Sequence, residues 1–240
     1  MSVSPEIGGQ CSDVISIPFK KVEKRPPVYM TEQETKLLLN TPDSSTHSGL
    51  RHMAILSLLY DSGCRVQELI DLNVSDVTIG DYCKIFVRGK GGKYREIPVF
   101  SETGKILKCY ISINKQASND ILFANSQGKR LTRAGIAHIM KKYKEIVKIQ
   151  HNDSFQSSIS PHCMRHSKAT HLVNAVMNIY NIRDFLGHTS VVTTQVYLTS
   201  NPEITRSIIE NASRKTVPES TEYYSADEQL DLMAFLETLI

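Results

Sequence analysis

Arg65, Lys90, His162, Arg165, His188 and Tyr197 are spread over more than half of a 240-residue chain, yet their chemistries complement one another. A phenol becomes a nucleophile once its proton is removed. Guanidinium and ammonium groups match developing negative charge, and imidazoles move protons or donate hydrogen bonds. That combination suits attack on a phosphodiester without a metal. No acidic cluster lies near these residues to hold magnesium. The single cysteine near them, with no Cys-x-x-Cys or His-Glu-x-x-His spacing, makes a zinc site weak. Neither a metal nor another cofactor is expected.

Each residue sits in a local context that fits such a role. Gly63-Cys64-Arg65-Val66-Gln67-Glu68-Leu69 follows the apolar-periodic run Leu50–Tyr60. Gly63 reads as a helix stop and Arg65 as the start of a short second helix, with Glu68 three residues on to hold the guanidinium. The same pair would also serve as an ordinary surface ion pair. Tyr82–Arg88 alternates, with Cys83, Ile85 and Val87 on one face, and Tyr94–Val99 returns after a Gly91-Gly92 turn, so Lys90 stands at a hairpin tip. A lysine there can protonate a departing oxygen or simply neutralise charge. Ser160-Pro161 signals a helix start and places His162 and Arg165 on one face of the first turn, where anions bind well. His166 and His171 are expected to be structural or exposed. Gly187 in Leu186-Gly187-His188 looks like another stop, Ser190 like a cap, and Tyr197 lies on the helix that follows.

In order and separation these four pieces resemble the signature of the tyrosine recombinase family of phage integrases and Xer-type recombinases, over about Val28 to Asn211. By motif, Arg65 matches the first arginine, Lys90 the hairpin lysine, and His162 with Arg165 the His-x-x-Arg pair. His188 matches the Leu-Gly-His histidine and Tyr197 the nucleophile. Cys64 stands where an aliphatic residue is commoner, and Lys168 where an aromatic is; Lys168 is expected to be a solvated helix lysine or an added phosphate contact. The resemblance implies a predominantly helical α+β catalytic domain with a small antiparallel sheet. It also implies DNA breakage and rejoining through a 3′-phosphotyrosine, independent of metal and ATP. In that chemistry His162 is the candidate acceptor of the phenolic proton, directly or through water, while also touching the phosphate; Lys90 is the candidate acid for the leaving 5′ oxygen, and His188 a hydrogen-bond donor to the phosphate. Relaxation of supercoils in the manner of a type IB topoisomerase, or a non-catalytic DNA-binding accessory role, are the competing readings.

The formal charge is only +3. From Val217 to Ile240, however, there are six acidic residues and no Lys or Arg, which leaves +9 on the rest of the chain. A basic body favours a polyanion, here double-stranded DNA. Arg88, Lys93 and Arg95 of the hairpin, then Lys129, Arg130 and Arg133, are the expected DNA contacts. The five cysteines are scattered, as in a reduced compartment. No long apolar run or leader pattern occurs, so a cytoplasmic, nucleoid-associated protein without membrane contact is expected.

Residues 1–27 read as an arm or linker, 28–212 as the catalytic domain, 213–226 as a polar linker, and 227–240 as an amphipathic helix with Leu230, Met233, Leu236 (or Phe235) and Ile240 on one stripe. Within the domain, Thr31-Glu32-Gln33-Glu34 is a capping-box pattern opening a helix, Ile121–Ala124 a short strand candidate, and Pro202 the start of a helix through about Asn211. Members of the family usually carry a further helical domain ahead of the catalytic one. The chain is therefore expected to be either a fragment of a longer protein or a minimal member. The last helix can pack on its own body or, as in the family, dock into a neighbouring protomer and order a tetramer on paired DNA sites.

Overall fold

The computed structural model describes residues 28–199, apart from 81, 90, 91, 93, 152–154, 156–158, 176 and 189. Thr31 opens α1 (Glu32–Asn40) through a reciprocal capping box with Glu34. Thr46 caps α2 (His47–Ser62) by accepting from Gly49 N, and Gly63 closes it in the left-handed region at φ 54°. After Arg65 comes α3 (Val66–Asp71), then a 3-10 turn at Val74–Asp76. Helix α2 is the centre of the molecule. Leu50, Ala54, Ile55, Leu56, Leu58 and Leu59 are all buried, because elements pack on it from several sides.

The sheet is antiparallel in the order β1 (Val77–Thr78), β2 (Cys83–Arg88), β3 (Tyr94–Val99). The β2–β3 register runs from Cys83↔Val99 to Arg88↔Tyr94 and turns Ile85, Val87, Ile97 and Val99 into the core. Pro98 is tolerated because β3 is an edge strand. The hairpin matches the sequence expectation. Strand β1 does not appear in that reading, since two residues carry no period to detect. The expected strand at Ile121–Ala124 is reduced to isolated bridges, Asn73↔Ile121 and Ala124↔Arg130.

Five helices complete the described part: α4 (Ser101–Ile113), α5 (Arg133–Gln150), α6 (Pro161–Asn174), α7 (Ile179–Leu186) and α8 (Val192–Thr199). Ser160 caps α6 by accepting from Cys163 N, with Pro161 in the first turn, and Gly187 ends α7 at φ 66°. A second apolar cluster of Ala169, Val173, Ile182, Leu186 and Tyr197 joins α6, α7 and α8. The incoming backbone is clamped to α6. Met30 N donates to Ser167 Oγ at 2.8 Å, and His171 Nε2 donates to Met30 O at 2.9 Å. With Nε2 carrying its proton, Nδ1 of His171 accepts from the Tyr60 hydroxyl at 2.8 Å.

The mostly helical fold with one small antiparallel sheet is thus the expected one. The arm at 1–27, the helix expected from Pro202, the linker and the helix at 227–240 lie outside the described residues. Among the described residues no helix is long and apolar enough to cross a membrane.

Candidate active site

Three turns converge on one spot. Arg65 ends the segment after Gly63 and lies half-exposed; its guanidinium donates to Glu68 Oε1 at 2.9 Å and reaches Gly187 O at 3.4 Å. Arg165, buried on α6, donates to Gly63 O and to Leu186 O, both at 2.6 Å. The two guanidiniums therefore meet at the Leu186–Gly187 turn. Burial and the neighbouring charge of Arg65 bring Arg165 down to about 10, still a cation at neutral pH.

His188 follows that turn. Its Nδ1 lies 3.0 Å from the hydroxyl of buried Thr194. Burial, then the charges of Arg165 and Arg65, push the imidazole down to about 4, so it is neutral at physiological pH. In the tautomer whose Nδ1 accepts from Thr194, Nε2–H is left as a donor. Tyr197 lies three residues beyond Thr194, one turn along α8, and is buried at 3 % exposure. Burial raises its phenol, against the pull of Arg165. His162 is exposed, at the rim of a cavity of about 490 Å³ that Arg65, Gln67 and Arg133 also line.

Glu68 ties the site to the hairpin. Arg95 grips its carboxylate with both Nη atoms, at 3.0 and 2.9 Å, while Arg65 also donates to Oε1. Burial alone would raise Glu68, but the hydrogen bonds from Arg95 and Arg65 outweigh it and hold the carboxyl below its ordinary range. The Arg95 guanidinium also lies against Gly187, where an added Cβ would come within 2.8 Å of it.

Of the six residues singled out from sequence, Arg65, His162, Arg165, His188 and Tyr197 gather here; Lys90 lies outside the described residues, as does Lys93. Arg133 reaches the cavity rim, its Nε donating to Gln67 Oε1 at 2.9 Å. Arg88 is exposed on the hairpin over the Tyr94 ring, and Lys129 is exposed on its turn. Arg95 and Arg130, both expected to face DNA, have their guanidiniums on protein acceptors. Those of Arg130 are Ile70 O, Leu72 O and Asn73 Oδ1. Lys168 is not a solvated lysine. It is buried, paired with Asp61 at 3.3 Å, and packed on Phe100 and Tyr60. His171 is structural, as expected. His166, given the same expectation, instead touches the phenol: its Nδ1 is 2.6 Å from Tyr197 Oη. The signal available in sequence was its spacing, four residues after His162 on one helical face.

The chain is similar over residues 28–203 to the phage integrase family. Among curated relatives, tyrosine recombinase XerC of Pelotomaculum thermopropionicum is 36% identical over 194 residues, covering 77% of this chain and 61% of the relative. Tyrosine recombinase XerD of Staphylococcus haemolyticus is 36% identical over 189 residues, 76% of this chain and 61% of its own length. A putative integrase/recombinase, y4rC of Sinorhizobium fredii, is 32% identical over 98% of this chain and 70% of its own. The crystal structure of XerA recombinase superimposes with a TM-score of 0.65 at 31% identity, over 79% of this chain and 67% of that one. XerH recombinase in a post-cleavage complex with its difH substrate shares the fold, with a TM-score of 0.68 at 22% identity over 82% of this chain and 58% of that one. These likenesses define a tyrosine-recombinase catalytic fold. The chain belongs to the phage integrase family. It spans about three fifths of the length of the first XerC and XerD relatives.

Proposed function

We propose that this chain breaks and rejoins double-stranded DNA at specific sites through a covalent 3′-phosphotyrosine on Tyr197, without metal or ATP. The observation that carries the reading is the meeting of Arg65 and Arg165 at the Leu186–Gly187 turn, with a neutral donor histidine next in sequence and the phenol one helix further on. Two cations held this close repel one another, and an anion between them relieves that repulsion. A phosphodiester seated there meets both guanidiniums and His188 Nε2–H, which match the charge that grows as the phenolic oxygen attacks phosphorus. The leaving 5′ oxygen takes its proton from Lys90. Because the new phosphotyrosine bond keeps the energy of the broken one, another 5′ hydroxyl reverses the step. Rejoining follows from the same groups.

Residues 28–212 act as the catalytic domain, with Arg88, Lys93, Lys129 and Arg133 presenting positive charge to the duplex. Arg95 and Arg130 serve it by holding the hairpin and the Lys129–Arg133 segment in place. The helix at 227–240, joined by the polar stretch 213–226, docks into a neighbouring protomer and orders a tetramer on paired sites in the nucleoid. The deciding experiment is covalent capture of a nicked suicide duplex. Wild-type chain forms a protein–DNA adduct and Tyr197→Phe forms none; an adduct with Tyr197→Phe overturns the assignment. Replacing either Arg65 or Arg165 with Ala is expected to slow capture by about 10²–10³-fold.

A further inference from the structure

Direct removal of the proton from Tyr197 needs an acceptor in contact with Oη, and the exposed His162 is not that contact. The ring of His162 stacks on the ring of His166, centroids 6.4 Å apart, and His166 lies between it and the phenol. Nδ1 of His166 stands 2.6 Å from Tyr197 Oη. Among the described residues no other side chain is hydrogen-bonded to that oxygen.

We infer that His166, not His162, takes the phenolic proton of Tyr197 when the strand is cut. The inference rests on the strand-cleavage reading above and adds a catalytic residue to it. As the Oη–P bond forms, the Oη–H bond breaks and its proton passes to His166 Nδ1. The electron pair of the P–O5′ bond leaves with the 5′ oxygen, which is protonated by Lys90. On rejoining, the same proton returns from Nδ1 to the phenolate.

The direction of the resting hydrogen bond supports this. A neutral imidazole and a neutral phenol can share this contact in two ways. If Nδ1–H donated, the phenolic hydrogen would need another acceptor, and among the described residues none is in contact with it. Oη–H therefore donates, and the Nδ1 lone pair already points at the proton it removes. Burial, helped by the charges of His162 and Arg165, lowers the proton affinity of His166, so the ring is unprotonated before DNA arrives. The titratable or charged groups around it are His162 and Arg165 on α6, Tyr197 on α8 and His188 on the turn between α7 and α8. A phosphate settling on Arg65 and Arg165 adds negative charge beside the ring and raises its affinity for a proton at the step that uses it.

Two measurements decide the matter. In ¹⁵N NMR of the histidine rings in the full chain, His166 Nδ1 should give an unprotonated, hydrogen-bond-accepting resonance that moves in Tyr197→Phe. A proton resident on Nδ1 overturns the inference without any reference to DNA. In single-turnover capture of a nicked duplex cut from the DNA flanking the gene, His166→Asn keeps a polar group near the Nδ1 position but no base. It should be slower by about 10²–10⁴-fold. That deficit should shrink as pH rises and hydroxide ionises the phenol, with duplex binding unchanged. His162→Asn should lower the rate while keeping the wild-type pH slope. A His166→Asn rate equal to wild type, or a deficit that stays constant with pH, overturns the inference. A wild-type chain that makes no Tyr197-dependent adduct sinks instead the strand-cleavage reading, and the NMR result still says where the proton sits.

Discussion

Glu68 carries two guanidiniums at once, so its removal leaves Arg65 and Arg95 without their shared anion. Glu68→Gln is expected to destabilise the fold by about 3 kcal/mol, the scale for breaking one partner of a buried pair, read as a lower urea midpoint with unchanged slope. Histidines set the acid limit. His52 and His188 are both pushed down to about 4 by burial, whereas an unfolded histidine titrates near ~6.5. The unfolded chain thus binds more protons between those values. Stability is full above the upper value and falls as pH drops towards the lower one. Urea midpoints taken across that window should decline steadily, and His52→Gln should flatten part of the decline. A midpoint indifferent to pH there would contradict the burial assigned to both rings. Glu68 adds to the trend from the ordinary carboxylate range downwards, since its depressed carboxyl stabilises the fold until it protonates.

At the scale of elements, the turn at Gly187 is the most constrained joint. Its φ of 66° is one that L side chains rarely adopt, and the Arg95 guanidinium fills the space a Cβ would need. Gly187→Ala should cost about 1–2 kcal/mol for the backbone alone and displace Arg95 as well. Cleavage should therefore fall further than at Gly63→Ala, where the φ of 54° is similar but the nearest atoms are the ends of Leu186 and Phe185. The same distinction explains what could be read in advance. Helix stops at Gly63 and Gly187, the Thr31 capping box and the Ser160-Pro161 start are decided by neighbours a few residues away, so their patterns were legible. Charged side chains were not, because their partners are distant in sequence. Lys168 finds Asp61 across 107 positions and Arg95 finds Glu68 across 27, so both look like surface charges until the chain is folded. The contact of His166 with Tyr197 was hidden for the same reason, its partner lying on a separate helix.

Across the whole molecule, five of the six singled-out residues come together although nothing local requires it. Buried α2 does the gathering, holding α6 on one side and the Gly63 turn at its end. Deleting residues 227–240 is expected to impair strand exchange between paired sites on a plasmid while sparing cleavage of a suicide duplex by one protomer. Equal loss of both would count against exchange of that helix between subunits. Met30 has a mechanical consequence. Its amide and carbonyl are fastened to Ser167 and His171, on the same helix that bears His162, Arg165 and His166. A pull on the backbone ahead of Met30 is therefore borne by the helix that carries Arg165 and His166.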